Sequence, residues 1–228
     1  VGEKSMVHHI VMSLVPNEAV GDEYRTPEGW DCIDGQGVSI TNGMIAAWAP
    51  GALPVNLPEG AGLEIPEDHL LVMQMHYFQE HGAAAGLSDQ SGYAFNLADS
   101  VEGTTLLFPL ANYNFRIPAG ESEHTKTDSF ENTYIPISVL GVFPHMHELG
   151  KSYSATIKHP DGTETCLTRG RYDFDNQLFY QYKEAVMLGV GDTVEFSCTW
   201  DNSEGVETVQ YGERTDEEMC FFFTLFQY

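Results

Sequence analysis

Two histidines separated by one residue, His145 and His147, are candidate metal ligands in this 228-residue chain. They follow an apolar, β-branched stretch at 135–142 that predicts a buried strand. Residues two apart in an extended chain point to the same side, so both imidazoles can reach one metal ion, with a third ligand from elsewhere. The alternative is two histidines that are satisfied at the surface. A helical His-Glu-x-x-His zinc-protease motif is excluded, because Lys151 occupies the position of its second histidine.

The first half of the chain carries a pair of adjacent histidines, His8 and His9, in a short apolar segment at 7–12 that predicts a strand. Neighbours on a regular strand face opposite ways. Both imidazoles can therefore reach one metal only if the strand contains a kink or a bulge. The alternative reading places one histidine inward and the other outward.

A second strand is predicted at 69–78, and on it Gln74 and His76 share one face. A polar pair on one face of an otherwise apolar strand needs hydrogen-bond or metal partners. His76 is therefore a better ligand candidate than His69 or His81, which lie at strand ends where solvent satisfies them. We assign Gln74 to the cofactor-binding face beside His76.

Near the C-terminus, Met219 precedes Cys220 at the start of an aromatic stretch that predicts the last strand, at 220–228. Most methionines fill cores. Met219 differs from the others by its place beside a cysteine at the end of an aromatic strand.

The elements that must position these residues are short strands separated by turn-forming Gly, Pro, Asn and Asp. No helix of convincing length is indicated. This texture predicts an all-β protein of two tandem antiparallel β-sandwich domains, jelly-roll-like, at residues 1–102 and 103–228. Among the strands expected in these domains are those at 93–97 and 194–200 and a hairpin of 152–159 with 163–167.

Composition excludes some classes of partner. The net charge is −24, from 34 acidic and 10 basic residues, so the surface repels nucleic acid and anionic lipid. The same charge also suits a salty habitat or a cationic partner. No apolar run approaches the about 18 residues of a membrane span. Four cysteines without a Cys-x-x-Cys pair, in a β-rich chain, favour an exported protein in an extracellular or periplasmic setting. The chain begins without methionine, which indicates processing or trimming.

Taken together, four sequence blocks in this order resemble the copper type II, ascorbate-dependent monooxygenases, a family that includes peptidylglycine α-hydroxylating monooxygenase and dopamine β-hydroxylase. Two further segments, Trp48-Ala49-Pro50-Gly51 and the one at 115–120, are similar to its microbial branch. The resemblance spans nearly the whole chain, and its four blocks are Val7-His8-His9, Leu71 to Tyr77, His145 to Lys151, and Asp216 to Cys220.

The resemblance implies two separate copper sites. An electron-storing site in the first domain would use His8, His9 and His76. An oxygen-activating site in the second domain would use His145, His147 and Met219 as metal ligands and catalytic residues. A thioether beside two imidazoles favours Cu(I), whereas three imidazoles tolerate both oxidation states. The co-substrates implied are O2 and ascorbate or another one-electron donor, and the partners are a small-molecule substrate and an upstream domain or external electron donor.

The family also implies a disulfide between Cys198 and Cys220, which would hold the strand end that presents Met219. The pairing of Cys32 and Cys166 stays open. The family pairs its cysteine near position 32 with one further upstream, in a segment that precedes this sequence.

Departures from the family bear on the substrate. Its peptide-processing member has an arginine two residues before the first histidine of the His-x-His pair, where this chain has Phe143. That member also has Asn and Tyr at the positions of Phe221 and Phe223. These two phenylalanines alternate in step with Met219, so we expect them to line the same face. A pocket walled by Phe143, Phe221 and Phe223 cannot satisfy a buried carboxylate, which favours an apolar or aromatic substrate. The alternative is that the three rings are core packing.

Three functions fit these residues. The first is a copper-dependent monooxygenase that hydroxylates a C–H bond. The second is a non-catalytic protein of the same fold that stores or senses copper. The third is a structural β-sandwich that carries zinc. An intact second site favours the first function.

Overall fold

The computed structural model describes residues 2–3, 6–32, 43–77 and 86–228, so the predicted strand end at Phe78 and His81 lie outside the described residues. By its internal contacts the chain forms two compact units. The first consists of Val1–Pro50 and Gly60–Thr104, and the second consists of Gly51–Glu59 and Thr105–Tyr228.

The strands of the first unit are β1 (Val7–Pro16), β2 (Met44–Trp48), β3 (Ala61–Gly62) and β4 (His69–Tyr77). Three of them form an antiparallel sheet in the order β2-β1-β4. In the described part of the chain the helices are single 3-10 turns, Asn17–Ala19 and Asp22–Tyr24, and none is long and apolar enough to cross a membrane.

The second unit is a sandwich of two antiparallel sheets, which confirms the predicted all-β class. Its strands are β5 (Gly103–Ala111), β6 (Arg116–Ile117), β7 (His124–Glu131), β8 (Ile137–His145), β9 (Gly150–Lys158), β10 (Glu164–Arg171), β11 (Tyr180–Leu188), β12 (Thr193–Trp200), β13 (Val209–Gln210) and β14 (Phe221–Gln227). One sheet has the order β10-β9-β12-β7 and the other β11-β8-β14-β5, while β13 pairs with β6. The first two residues of β5, Gly103 and Thr104, belong to the first unit and pair there with β3 in parallel.

The core of the second unit lies between the two sheets and follows the period of two that strands impose. Along β12, Val194, Phe196, Cys198 and Trp200 are buried, and the residues between them are only partly buried. Phe222 of β14 joins the same core from the opposite sheet. Burying each large apolar side chain in this way stabilises the fold by about 1.5–3 kcal/mol.

The hairpin predicted around Pro160-Asp161-Gly162 is confirmed as β9 and β10. Its turn needs a left-handed residue, and Gly162 supplies it at φ 86°. The Asp161 carboxylate accepts hydrogen bonds from the backbone N–H and the hydroxyl of Thr163. The turn residues alone were therefore sufficient to locate this hairpin.

The strand predicted at 93–97 is wrong, because these residues lie outside the strands of the described part of the chain. Tyr93 and Phe95 do stack on one side of an extended stretch, with ring centroids 5.8 Å apart. Alternating aromatic residues gave the segment a strand-like pattern, but no ladder to a neighbouring strand forms there.

The disulfide Cys198–Cys220 is present and joins β12 to the residue before β14. We expect its removal in a Cys198→Ser/Cys220→Ser double variant to lower the free energy of unfolding by about 3 kcal/mol, because the closed loop restricts the unfolded chain. Denaturant unfolding measures this loss. The exposed, unbonded Cys166 provides the control, since Cys166→Ser should leave stability unchanged. Equal stability of the double variant and the control would contradict this expectation.

Candidate metal sites

The first candidate site lies where β1 pairs with β4. The register places His9 opposite His76, and it shifts between Val7 and His9, so that His8 sits in a bulge. This irregularity lets two adjacent histidines turn toward one point, which regular pleating forbids.

The three imidazoles of this site converge. The candidate ligand atoms of His8, His9 and His76 all lie within 4.8 Å of one another. The Nδ1 atoms of His8 and His9 are 3.0 Å apart. Two nitrogens that bind one metal at about 2 Å each lie about 3 Å apart, so this spacing suits a shared ion. Burial lowers the pKa of His76, which favours the neutral imidazole that a metal requires.

Gln74 lies on the same face as His76, since it pairs with Val11 two positions from the His9–His76 pair. Its side-chain nitrogen donates to the sulfur of Cys32 at 3.6 Å. Cys32 is a free thiol in the described structure. Gln74 thus links Cys32 to the face of β4 that carries His76. The cofactor-binding role of Gln74 stays a prediction.

The second candidate site lies at the end of β8. His145 is the last residue of that strand, and His147 lies two residues further along the chain. Their ring centroids are 5.2 Å apart, and the two ring planes are nearly perpendicular. Both side chains are buried, and Met146 between them points into the sandwich core. The alternation predicted for His145 and His147 therefore continues past the end of the strand.

Hydrogen bonds at Nδ1 define the tautomer of each imidazole. The side-chain oxygen of Gln177 accepts from His145 Nδ1 at 2.7 Å, and the amide of Gln177 is oriented by its own donation to the carbonyl of Phe174. The Glu217 carbonyl accepts from His147 Nδ1 at 3.1 Å. Both rings therefore carry their proton on Nδ1, which leaves Nε2 with the lone pair that binds metals.

Met219 is held beside His147 through a shared partner. One carboxylate oxygen of Glu218, Oε2, accepts from the backbone N–H of His147 at 2.9 Å and from that of Met219 at 3.2 Å. Cross-strand pairing also sets Phe221, two residues after Met219, opposite His145. The backbone of Met219 is thus adjacent to the segment that carries the two histidines.

Aromatic side chains surround His145 on its face of the sheet. The ring of Phe143 lies 6.1 Å from His145 and 6.0 Å from Phe223, and the rings of Phe221 and Phe223 are 5.6 Å apart. None of these three rings belongs to the sandwich core cluster, which takes Phe222 from the opposite face of β14. The three phenylalanines and His145 thus form one aromatic cluster, and all four side chains are buried.

The sequence did not reveal Gln177 or Glu218. Gln177 lies in an irregular segment 32 residues from His145, and no local pattern marks it. Glu218 did leave a signal: extending the alternation of the core-facing Cys220 and Phe222 back by one step places Glu218 inside. A buried carboxylate needs several donors, and burial raises the pKa of Glu218 to about 7 while its hydrogen bonds oppose the rise.

We expect Gln177→Leu to weaken metal binding at the second site by about 10–100-fold, because His145 loses the acceptor that fixes its tautomer. The measurement is a competition titration with a chelator. Gln210→Leu, an exposed glutamine of the same unit, is the control and should bind as the wild type does. An unchanged affinity in Gln177→Leu would show that the hydrogen bond to His145 does not support the site.

Comparison with known proteins gives two family matches. The model described as copper type II ascorbate-dependent monooxygenase, C-terminal domain, matches residues 103–228, and its N-terminal counterpart matches residues 1–84. Mouse peptidyl-glycine alpha-amidating monooxygenase (Mus musculus) is 25% identical over 201 residues, covering 86% of this chain and 20% of that protein. Dog dopamine beta-hydroxylase (Canis lupus familiaris) is 26% identical over 238 residues, covering 96% of this chain and 37% of that protein.

The chain therefore spans well under half the length of these curated relatives. Among solved structures, the VP2 subviral particle of infectious bursal disease virus covers 97% of this chain and 52% of its own, with a TM-score of 0.28 and 9% identity. A similarity of that size supports no inference about this chain.

Proposed function

The chain belongs to the copper type II ascorbate-dependent monooxygenase family, and we propose that it hydroxylates a C–H bond of an apolar or aromatic small molecule with O2 and a one-electron reductant. The observation that carries the proposal is the presence of two chemically different ligand groups, one in each unit. Three imidazoles converge in the first. The second consists of the imidazoles of His145 and His147, next to the chain segment that carries Met219.

The donor atoms suit copper at both places. His8, His9 and His76 would hold one ion with nitrogen ligands that accept either oxidation state, and His145, His147 and Met219 would hold another with a softer set that favours Cu(I). Copper at these sites supplies single-electron transfer and activates O2. The role of the protein is to orient the imidazoles through hydrogen bonds at Nδ1, which leaves Nε2 of His145 and His147 available to a metal.

Each hydroxylation consumes one O2, two electrons and two protons, and yields the alcohol and one water. Two one-electron oxidations of ascorbate balance this reaction. Two metal sites that each pass one electron meet the same requirement within one chain. We therefore infer that the partners of the protein are an external one-electron donor and a small molecule.

The aromatic cluster around His145 favours an apolar substrate. Phe143, Phe221 and Phe223 present ring faces and edges that pack against apolar or aromatic groups but donate no hydrogen bond to a carboxylate. A peptide with a free C-terminal carboxylate is thus a poor fit. An aromatic hydrocarbon or a related neutral compound is a better one.

We also propose an extracellular or periplasmic location. The disulfide Cys198–Cys220 supports it, because such bonds persist in oxidising compartments and are rare in reducing ones.

The test is reductant-dependent oxygen consumption by copper-loaded protein, with a panel of apolar aromatic compounds and mass spectrometry of the products. A Cys32→Ser/Cys166→Ser background removes the two free thiols, which would otherwise bind or reduce copper. The expected result is a hydroxylated product formed in a one-to-one ratio with O2. Copper binding without product across the panel would favour a protein that stores or senses copper, and zinc in protein purified without added metal would favour a structural role.

A further inference from the structure

Glu218 is fully buried, with 0% of its surface exposed. It lies directly before Met219, and burial of an isolated carboxylate is costly unless donors surround it. Nothing in the proposed chemistry uses this side chain as a ligand. Its contacts therefore need their own explanation.

Four N–H groups donate to the Glu218 carboxylate. The backbone N–H groups of His147 and Met219 and the indole of Trp200 donate to Oε2, at 2.9, 3.2 and 2.8 Å. The backbone N–H of Leu149 donates to Oε1 at 2.7 Å. A buried carboxyl group that accepts four hydrogen bonds fixes the positions of all four donors, so this cluster is a strong local constraint.

The donors come from three separate segments. His147 and Leu149 flank the turn after β8, Trp200 ends β12, and Met219 leads into β14. The Trp200–Glu218 hydrogen bond joins the same two segments as the disulfide Cys198–Cys220, because Trp200 lies two residues after Cys198 and Glu218 lies two residues before Cys220. The segment that carries Met219 is thus fastened to the neighbouring sheet at two successive points.

We propose that Glu218 is the positioning residue of the second metal site, which holds the backbones of His147 and Met219 together so that the imidazole and the thioether meet at one point. The proposal rests on the proposed function, because it assumes that these two residues bind the same ion. A carboxylate is required for this role. A glutamine at this position keeps one oxygen, and its NH2 group would face N–H donors in place of the other.

The experiment compares wild type, Glu218→Gln and the control Glu213→Gln, which removes the same charge from an exposed residue of the same segment. Each protein, comprising all 228 residues, is titrated with Cu(I) against a chelator. X-ray absorption then measures copper–sulfur scattering (the sulfur shell). Only the second site has a thioether ligand, so this signal reports on Met219. All proteins carry Cys32→Ser and Cys166→Ser, so that free thiols add no sulfur ligand.

In Glu218→Gln we expect the second copper to bind about 10–100-fold more weakly and the sulfur shell to shrink, while the first copper binds as in wild type. Glu213→Gln should match wild type in both readouts. Unchanged second-site affinity and an unchanged sulfur shell in Glu218→Gln would overturn the proposal. So would a variant that is less stable without metal but keeps the sulfur shell, because Glu218 would then serve the fold alone.

Wild-type protein separates the two hypotheses. A wild type with no copper–sulfur shell would overturn the proposed second site, and the role of Glu218 would fall with it. If Glu218→Gln does not fold, Trp200→Phe replaces it, because this change removes one donor and keeps an aromatic ring against Phe115. A smaller loss of second-site affinity is then expected, and no loss would overturn the proposal.

Discussion

Replacing Met219 by isoleucine is expected to abolish hydroxylation, to the rate of copper-free protein, while the first site keeps its copper. The thioether is the sulfur donor of the proposed second site, and isoleucine fills a similar volume without a donor atom. Met219 is 8% exposed, so the exchange should cost less than about 1.5 kcal/mol of stability. Product formation and copper content, measured on the same sample, test this prediction.

The matched control for this variant is Met187→Ile, which alters an exposed methionine of the same unit. It should retain full activity and two copper ions per chain. Hydroxylation by Met219→Ile at the wild-type rate would show that the sulfur is not part of the reacting site.

The second large effect is expected from His76→Ala, which should stop repeated turnover by preventing electron delivery. The first site then loses one of its three convergent imidazoles, and the remaining pair from β1 cannot hold copper as tightly. The second site lies in the other unit, so its copper should remain. Copper stoichiometry should fall from two ions per chain to one, and the sulfur shell in X-ray absorption should persist.

His69→Ala is the control on the same strand, because His69 lies at the start of β4 and is hydrogen-bonded to Asp68. It should behave as wild type. Loss of both copper ions in His76→Ala, or of both in Met219→Ile, would contradict two independent sites.

The sequence was sufficient where side-chain alternation carries the information. The period of two along β8 and β14 predicted that His145 and His147 share a side, and that Phe221 and Phe223 share a face. It also stated the condition for the first site, a bulge at His8 and His9, but gave no means of deciding whether one forms. Pairing with β4 supplies that bulge, and such pairing depends on residues far apart in the chain.

The parts that the sequence did not predict depend on long-range contacts. Gln177 reaches His145 from an irregular segment, and Glu218 gains donors from three segments that only the folded sandwich brings together. The wrong strand prediction at 93–97 came from a local pattern that resembles a strand. Tyr93 and Phe95 alternate as strand residues do, but a strand also needs a partner edge, which local pattern does not report.

The most direct test of the two-site account is a crystal structure of copper-loaded protein with anomalous scattering recorded on both sides of the copper absorption edge. The account predicts two copper peaks. One should lie among the ring nitrogens of His8, His9 and His76, and the other should be bounded by His145, His147 and the sulfur of Met219. A single peak, or a Met219 sulfur directed away from the second histidine pair, would contradict it.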